Sequence, residues 1–439
     1  MTSNSFFLSI TINPRFGKIF DVQHNFAVIF DVQISISIEK VHYEMGVQNL
    51  LPLLVPISKR VPLSAFSGQR MGIDGFVWLH KASFRCAKDL VNDPGSEKIL
   101  PYLTNMLEKV ISCGITPVII FDGQQLPQKA RTNKKRHIDR MEARAKAIEL
   151  EALGDTDQAY TYYQKAVEIT SATVFTWVQK LREYNIEYYV APYEADAQLA
   201  YLCRTSFVDC VLTEDSDLLP YQTPVVLFKF EPSTLSAIVI RFEDVLSHLQ
   251  LTVDQFIGIC CYSGCDYLEH INKLGISTAI KLMKAYGDPF EMLRCLKEGG
   301  KYDIPCNYEE QLRNSILTYQ AQRVFNPRTK ELETLIPITD DQEGEFLGPL
   351  IAPDLIQKIV SCEIDTRTYA KLRVETQTGP VSPYFKKSSV KKKKFGSEQK
   401  SMIPVKSCSK YFQIYKNDDS DSKIHTRSAK SYLQLGKYS

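Results

Sequence analysis

Three short apolar runs in this chain each finish on acid. Met71-Gly72-Ile73 runs into Asp74, Pro117-Val118-Ile119-Ile120-Phe121 into Asp122, and Cys210-Val211-Leu212-Thr213 into Glu214, Asp215 and Asp217. Amphipathic stretches of helix length separate such runs, which is the pattern of an α/β protein with a central, mostly parallel sheet flanked by helices. In open parallel sheets ligands bind beyond the carboxyl ends of the strands, so three strands ending on acid set their carboxylates on one rim. A single Asp after a strand is equally well a turn residue or a helix N-cap. Three together have the shape of a site.

A second acidic cluster, Tyr193-Glu194-Ala195-Asp196, lies some twenty residues before Asp215 and Asp217. Gathering so many carboxylates is costly unless cations neutralise them, which points to divalent metal. Asp215 and Asp217 are two apart in what reads as extended chain, where alternate side chains face the same way and can share one cation. Glu194 and Asp196 have the same spacing, but positions i and i+2 of a helix do not face each other. Pro192 reconciles this if it starts a helix, since both acids then fall in the first turn beside the positive end of the dipole. A plain N-terminal charge bias of that helix is the alternative.

With 53 basic and 51 acidic residues the net charge is only +2, so a polyanion partner has to be met by local segregation of charge. Such segregation exists between Asp122 and Glu194. Lys129, Arg131, Lys134, Lys135, Arg136, Arg140, Arg144 and Lys146 are set against only Asp139 and Glu142, leaving few acids to pair with them along a helix. This reads as a phosphate-binding surface. Residues 154–169 read as part of an amphipathic helical hairpin. A further helix is expected over 252–262, then a tight turn, Asn272-Lys273-Leu274-Gly275-Ile276-Ser277, and a helix over 278–286. A Gly-containing turn that feeds a helix N-terminus suits one DNA phosphate, and serves equally as an ordinary helix connection.

A hydrophobic content of 44% supports one large core, and no apolar run reaches the roughly 18 residues of a membrane span. The eleven cysteines are odd in number and scattered, without paired CxxC spacing, as in a reduced compartment. Residues 1–44 carry Ile-Phe-Asp-Val-Gln twice and read as an extension or the product of an upstream start, with Met45 opening the functional part. From about residue 379 the composition turns Ser-rich and basic, with Lys386-Lys387 and four lysines over 391–394. It reads as a disordered tail with a nuclear-import or nucleic-acid patch.

Several motifs carry a resemblance. Met45-Gly46-Val47-Gln48-Asn49-Leu50-Leu51, Trp78-Leu79-His80-Lys81, Phe121-Asp122-Gly123, the run from Val190 through Glu194 and Asp196 to Tyr201, Thr213-Glu214-Asp215-Ser216-Asp217 and Ser263-Gly264-Cys265-Asp266-Tyr267-Leu268 together resemble the five-prime nuclease superfamily that includes the flap endonucleases, the XPG/Rad2 family. The likeness spans residues 45–378, and Trp-Leu-His-Lys favours its exonuclease branch. It implies a PIN-like nuclease fold with a helical arch and a helix-two-turn-helix element. The divisions it implies are 1–44, extension; 45–143, N-terminal nuclease region; 144–181, arch or connector; 182–270, internal nuclease region; 271–345, helix-two-turn-helix and helical part; 346–378, wrap-around segment; and 379–439, tail.

For the site, the resemblance implies seven carboxylates holding two magnesium ions, with Asp74, Asp122, Glu194 and Asp196 around the first and Asp215, Asp217 and Asp266 around the second. Lys129 and Arg136 match a basic pair that contacts the scissile phosphate. His80 and Lys81 fall where the family wedges a duplex-to-single-strand junction, and Lys134, Lys135 and Arg140 extend the DNA-binding surface. Lys273, Gly275 and Ser277 match the turn that grips duplex backbone around a potassium ion, although a glycine usual there is Lys273 here. Ser409-Lys410-Tyr411-Phe412 is similar to a short motif that binds MutL homologues. The activity implied is a monomeric, nuclear, magnesium-dependent five-prime to three-prime exonuclease on double-stranded DNA ends, nicks or flaps, acting in mismatch repair, end resection and recombination. A flap or bubble endonuclease, or a non-catalytic DNA-binding scaffold, are the competing expectations.

Overall fold

The computed structural model describes residues 46–339 and 342–372. All of them belong to the first of two units, residues 1–375. The extension 1–44, Met45 and the tail, with Ser409, Lys410, Tyr411 and Phe412, lie outside the described residues.

The centre is a seven-stranded sheet in the order β1-β7-β6-β5-β2-β3-β4. β2 (Arg70–Asp74), β3 (Thr116–Phe121), β4 (Glu187–Val190), β5 (Cys210–Leu212) and β6 (Val225–Glu231) run parallel to one another. β7 (Ser236–Arg241) lies between β6 and the edge strand β1 (Lys59–Pro62) and is antiparallel to both. A strand covered by helices on both faces is apolar throughout, and Val118, Ile119, Ile120 and Phe121 of β3 are all fully buried. On one face Phe121 packs edge-on to Trp177 at 5.3 Å, and Trp177 stacks on Trp78 at 6.1 Å. Truncating Trp177 to Ala costs about 3–5 kcal/mol on general grounds.

The helices carry local signals that match their ends. Thr252 caps Val253–Ser263 through a reciprocal bond with Gln255, within a residue of the expected 252–262. The helix expected over 278–286 starts two residues earlier, as Ile276–Tyr286, because Gly275 serves as its N-cap. The basic stretch is one long helix, Ala130–Ala152, which packs against Thr156–Ala166, and that helix packs in turn on Ala87–Asn92. The expected division at 143/144 falls inside the long helix. A small hairpin of β8 (Arg323–Asn326) and β9 (Glu331–Thr334) follows helix Tyr308–Ala321. Among the described residues all ten cysteines are free thiols, and no helix is long and apolar enough to cross a membrane.

Candidate active site

Strands β5, β2, β3 and β4 lie side by side and parallel, so their carboxyl ends form one rim. Asp74 is the last residue of β2 and caps helix Gly75–Ser83. Its Oδ1 accepts from the Val77 amide at 3.0 Å and its Oδ2 from the Thr213 hydroxyl at 2.8 Å. Asp122 follows β3 and accepts from the Ala195 amide at 2.8 Å, which ties it to the start of helix Ala195–Arg204. The two loops can meet because residue 123 is glycine. Its amide and that of Gln124 donate to Tyr193 and Pro192 carbonyls, at 2.6 and 3.0 Å, and a Cβ at 123 would lie 1.9 Å from the Ala191 oxygen.

Two local expectations need correction. The helix starts at Ala195 and not at Pro192, because the backbone over 192–193 is engaged by residues 123–124. Glu194 is therefore the extended N-cap, with φ −90° and ψ 137°, and only Asp196 lies in the first turn. Asp215 and Asp217 do not share an extended chain. β5 ends at Leu212, Asp215 caps a 3-10 turn over Ser216–Leu218, and the Asp217 amide donates to Asp215 Oδ1 at 2.8 Å. The competing bond of an Asp side chain to backbone two residues on ends the strand early.

Gly46 lies against this turn with φ +86°, and a Cβ on it would sit 2.3 Å from Asp215 Oδ1. From the other side comes Asp266. Lys129 Nζ lies 2.8 Å from Asp266 Oδ2 and 2.9 Å from Glu194 Oε1, and Arg136 reaches Asp266 Oδ1 at 2.9 Å. The structure thus brings all seven predicted carboxylates to one place, together with Lys129 and Arg136.

The electrostatics divide the cluster. Burial, and then the neighbouring acids, raise Asp74 to about 7 and Asp122 and Asp215 to about 6. Asp196 is raised well above the usual range, by burial and by Asp215, Asp74, Asp122 and Asp217 in turn, and Asp217 likewise by burial and by Asp215 and Asp266. Asp266 is buried too, which opposes ionisation, yet Lys129 and Arg136 hold it below the usual value. Cation is needed where Lys129 does not reach.

The donor chemistry fits a hard divalent ion, since every group is a carboxylate and Asp217 Oδ1 is buried without a partner. Among the described residues no three of these acids are drawn into a ready-made ion cage. Lys129 fills a cation's electrostatic place between Glu194 and Asp266.

Beside Asp122 and Glu194 opens a cleft of about 400 Å³, lined on its basic side by Lys129, Lys134, Arg136, His137, Arg140 and Arg367. Lys135 is exposed on the same helix. His80 lies between the rings of Phe76 and Phe84, at 6.1 and 6.2 Å. Burial, then Arg140 and Arg136, lower its pKa to about 4, so at neutral pH it offers a ring and not a charge. Lys81 is engaged with Glu214 at 2.5 Å. Lys273, Gly275 and Ser277 are exposed, and Lys273 and Gly275 line a hollow that also includes Gln48, Asn49 and His270. Lys273 takes the left-handed backbone that a glycine would adopt there, with φ 67°.

Sequence reasoning passed over four residues that hold the site. Thr213 donates to Asp74 while accepting from the Asp215 amide at 3.0 Å, joining two rim acids. Tyr267 donates to Glu194 Oε2, and behind it stand Tyr221 and Gln322. Thr213 and Tyr267 sit inside the quoted motifs and were within reach; Tyr221 and Gln322 carry no local signal.

Comparison with known proteins points to one family. Residues 45–143 match the XPG N-terminal domain and residues 185–266 the XPG I-region. Exodeoxyribonuclease 1 of Schizosaccharomyces pombe is 31% identical over 417 residues, covering 89% of this chain and 73% of that protein. Exonuclease 1 of Arabidopsis thaliana is 31% identical over 381 residues, and the chain spans about half of its length, 51%. The DNA damage-inducible protein DIN7 of Saccharomyces cerevisiae is 33% identical over 298 residues, with 66% of this chain and 69% of that protein covered. The solved catalytic core of Rad2 in complex with DNA substrate superposes with a TM-score of 0.46 at 19% identity, covering 74% of this chain and 89% of that one.

Proposed function

The chain belongs to the exonuclease 1 family of XPG-type nucleases, and from that premise we propose that it is a magnesium-dependent enzyme that removes nucleotides from the five-prime ends of double-stranded DNA and cuts five-prime flaps. The observation that carries the reading is the rim itself, six buried or half-buried carboxylates and the exposed Asp122, with Lys129 and Arg136 at the edge of a basic cleft.

Two magnesium ions, when bound, supply activation of a water molecule and neutralisation of charge on the scissile phosphodiester. Asp74, Asp122, Glu194 and Asp196 hold one, and Asp215, Asp217 and Asp266 the other. Thr213 and the Val77 and Ala195 amides keep Asp74 and Asp122 aimed at the rim. Lys129 and Arg136 turn from Glu194 and Asp266 to the phosphate when substrate enters, adding cationic donors where negative charge develops. His80 presents its ring to the first unpaired base, while Lys134, Lys135 and Arg140 bind backbone. Lys273, Gly275 and Ser277 hold duplex phosphate, with potassium as a further ligand of that turn.

The family likeness also supports action in mismatch repair, end resection and recombination in the nucleus, by a monomer that engages MutL homologues through Ser409, Lys410, Tyr411 and Phe412. A duplex labelled at its five-prime end tests the activity. Single labelled nucleotides released with magnesium from a blunt or recessed end are expected. Cutting confined to flap junctions makes the enzyme a flap or bubble endonuclease, and binding without cleavage makes it a scaffold.

A further inference from the structure

On the side of Glu194 away from Lys129, three buried side chains stand in line. Tyr267 donates its hydroxyl hydrogen to Glu194 Oε2, the Tyr267 oxygen lies 2.5 Å from the Tyr221 oxygen, and Tyr221 lies 2.6 Å from the Gln322 carboxamide. Tyr221 and Gln322 are wholly buried and Tyr267 nearly so, at 6% exposure. Both tyrosine rings pack edge-on to Tyr319 with centroids 5.0 Å away, which fixes where their hydroxyls point.

Counting hydrogens sets the direction of this line. Three contacts need three hydrogens, and two phenols carry only two. With Gln322 Oε1 facing Tyr221, the Tyr267 hydrogen goes to Glu194 and the Tyr221 hydrogen to Gln322. Two oxygens 2.5 Å apart are then left with no hydrogen between them. The same orientation leaves Gln322 Nε2 buried without an acceptor. One change cures both faults, because the nitrogen and oxygen of a carboxamide exchange places on a half-turn of the group. Gln322 N–H then donates to Tyr221, Tyr221 to Tyr267, and Tyr267 to Glu194. A carboxylate can only accept and an amide nitrogen can only donate, so the line has one sense. What remains unpaired is a carbonyl oxygen, more readily tolerated than an unpaired N–H.

We infer that Gln322, Tyr221 and Tyr267 form a one-way donor chain whose work is to position Glu194 for cation binding, an inference that rests on reading the rim as the metal site of a nuclease. All three are positioning residues, acting through Glu194. One Glu194 oxygen is occupied by Tyr267, which turns the other to Lys129 and the rim. Groups that orient a metal ligand in this way typically weaken metal binding tenfold or more when removed.

The test is calorimetric titration of the DNA-free full chain with magnesium, alongside its melting temperature in EDTA and the magnesium concentration for half-maximal cleavage. Tyr267→Phe is expected to weaken magnesium binding about tenfold and to raise the half-maximal concentration in parallel. Tyr221→Phe moves both several-fold the same way. Gln322→Met matches Tyr221→Phe, because a thioether has no N–H to start the chain. Unchanged magnesium affinity in Tyr267→Phe overturns the inference, as does parental affinity in Gln322→Met, which would show that the chain does not begin at Gln322. If Gln322→Met does not fold, neutron diffraction on the parent chain decides: deuterium between Gln322 and Tyr221 on the nitrogen supports the chain, and the carboxamide oxygen there overturns it. Asp217→Ala separates the two levels. Its loss of magnesium binding beside an unaffected Tyr267→Phe removes only the chain, whereas parental binding and cleavage in Asp217→Ala removes the metal site itself.

Discussion

Lys129 Nζ lies 2.8 Å from Asp266 Oδ2, so the cation expected to meet the scissile phosphate is already serving a carboxylate. Burial works against its charge, and Glu194 and Asp266 more than restore it, raising its pKa well above the ordinary value. Lys129 and a metal ion therefore compete for the same oxygens. Lys129→Ala is expected to tighten magnesium binding several-fold in calorimetry while slowing single-turnover cleavage on the order of 10²–10³-fold. Weaker metal binding together with slower cleavage would mean that Lys129 organises the rim instead of competing for it.

Asp217 carries the cost of the site. It is 4% exposed, its Oδ1 has no partner, and Asp215 and Asp266 face it. Replacing it removes like-charge repulsion from the folded state, so Asp217→Asn should melt higher than the parent in EDTA. Cleavage should be abolished with DNA binding retained in gel-shift assays. A lower melting temperature would contradict the electrostatic account.

The same repulsion predicts a pH profile. The carboxyl of Asp74 moves from about 3.8 when unfolded to about 7 when folded, and those of Asp122 and Asp215 to about 6. A carboxyl whose pKa folding raises stabilises the fold in its protonated form. That contribution is fully present below about 3.8 and is lost as pH rises through 6 to 7. Metal-free melting temperature should therefore fall from about pH 4 to about pH 7, and the stabilisation given by magnesium should grow across the same interval. A flat difference between magnesium and EDTA melting curves would count against it.

Gly46→Ala tests how closely the chain approaches the rim. Its φ of +86° disfavours any side chain, and the new Cβ would sit 2.3 Å from Asp215 Oδ1 and 2.8 Å from the Asp217 amide. We expect destabilisation of about 1–3 kcal/mol by denaturant titration and a fall in cleavage larger than that loss of folded protein explains. Parental cleavage by the variant would mean that the turn over 215–217 yields freely.

Much of this was legible because β2, β3 and β5 obey a simple rule: apolar to the end, then acid. Parallel burial makes such runs conspicuous, and Asp74, Asp122 and Asp215 could be placed on one rim from them alone. The differences are local. Asp217 does not follow the extended-chain expectation because a two-residue spacing carries no mark of the side-chain-to-backbone bond that curls it. Glu194 stands outside the helix because residues 123 and 124 engage the backbone at 192 and 193, and nothing near Pro192 reveals this. Tyr221 and Gln322 were invisible for a different reason. They are 101 positions apart, and their partnership exists only once helix Tyr308–Ala321 has packed against helix Val253–Ser263.

The four adjacent parallel strands also act as a ruler. Neighbouring strands are held roughly 4.8 Å apart by their hydrogen bonds, and a one-residue slip would turn a whole strand over. Asp74, at the end of β2, therefore inherits its spacing from Asp122, just past β3, from the same lattice that holds Ile119 and Ile120 in the core. Chemistry of this kind cannot be tuned by sliding its acids. Whatever throttles such an enzyme has to work on admission, at the long basic helix and the cleft beneath it, and leave the bench on which the phosphate is cut unmoved.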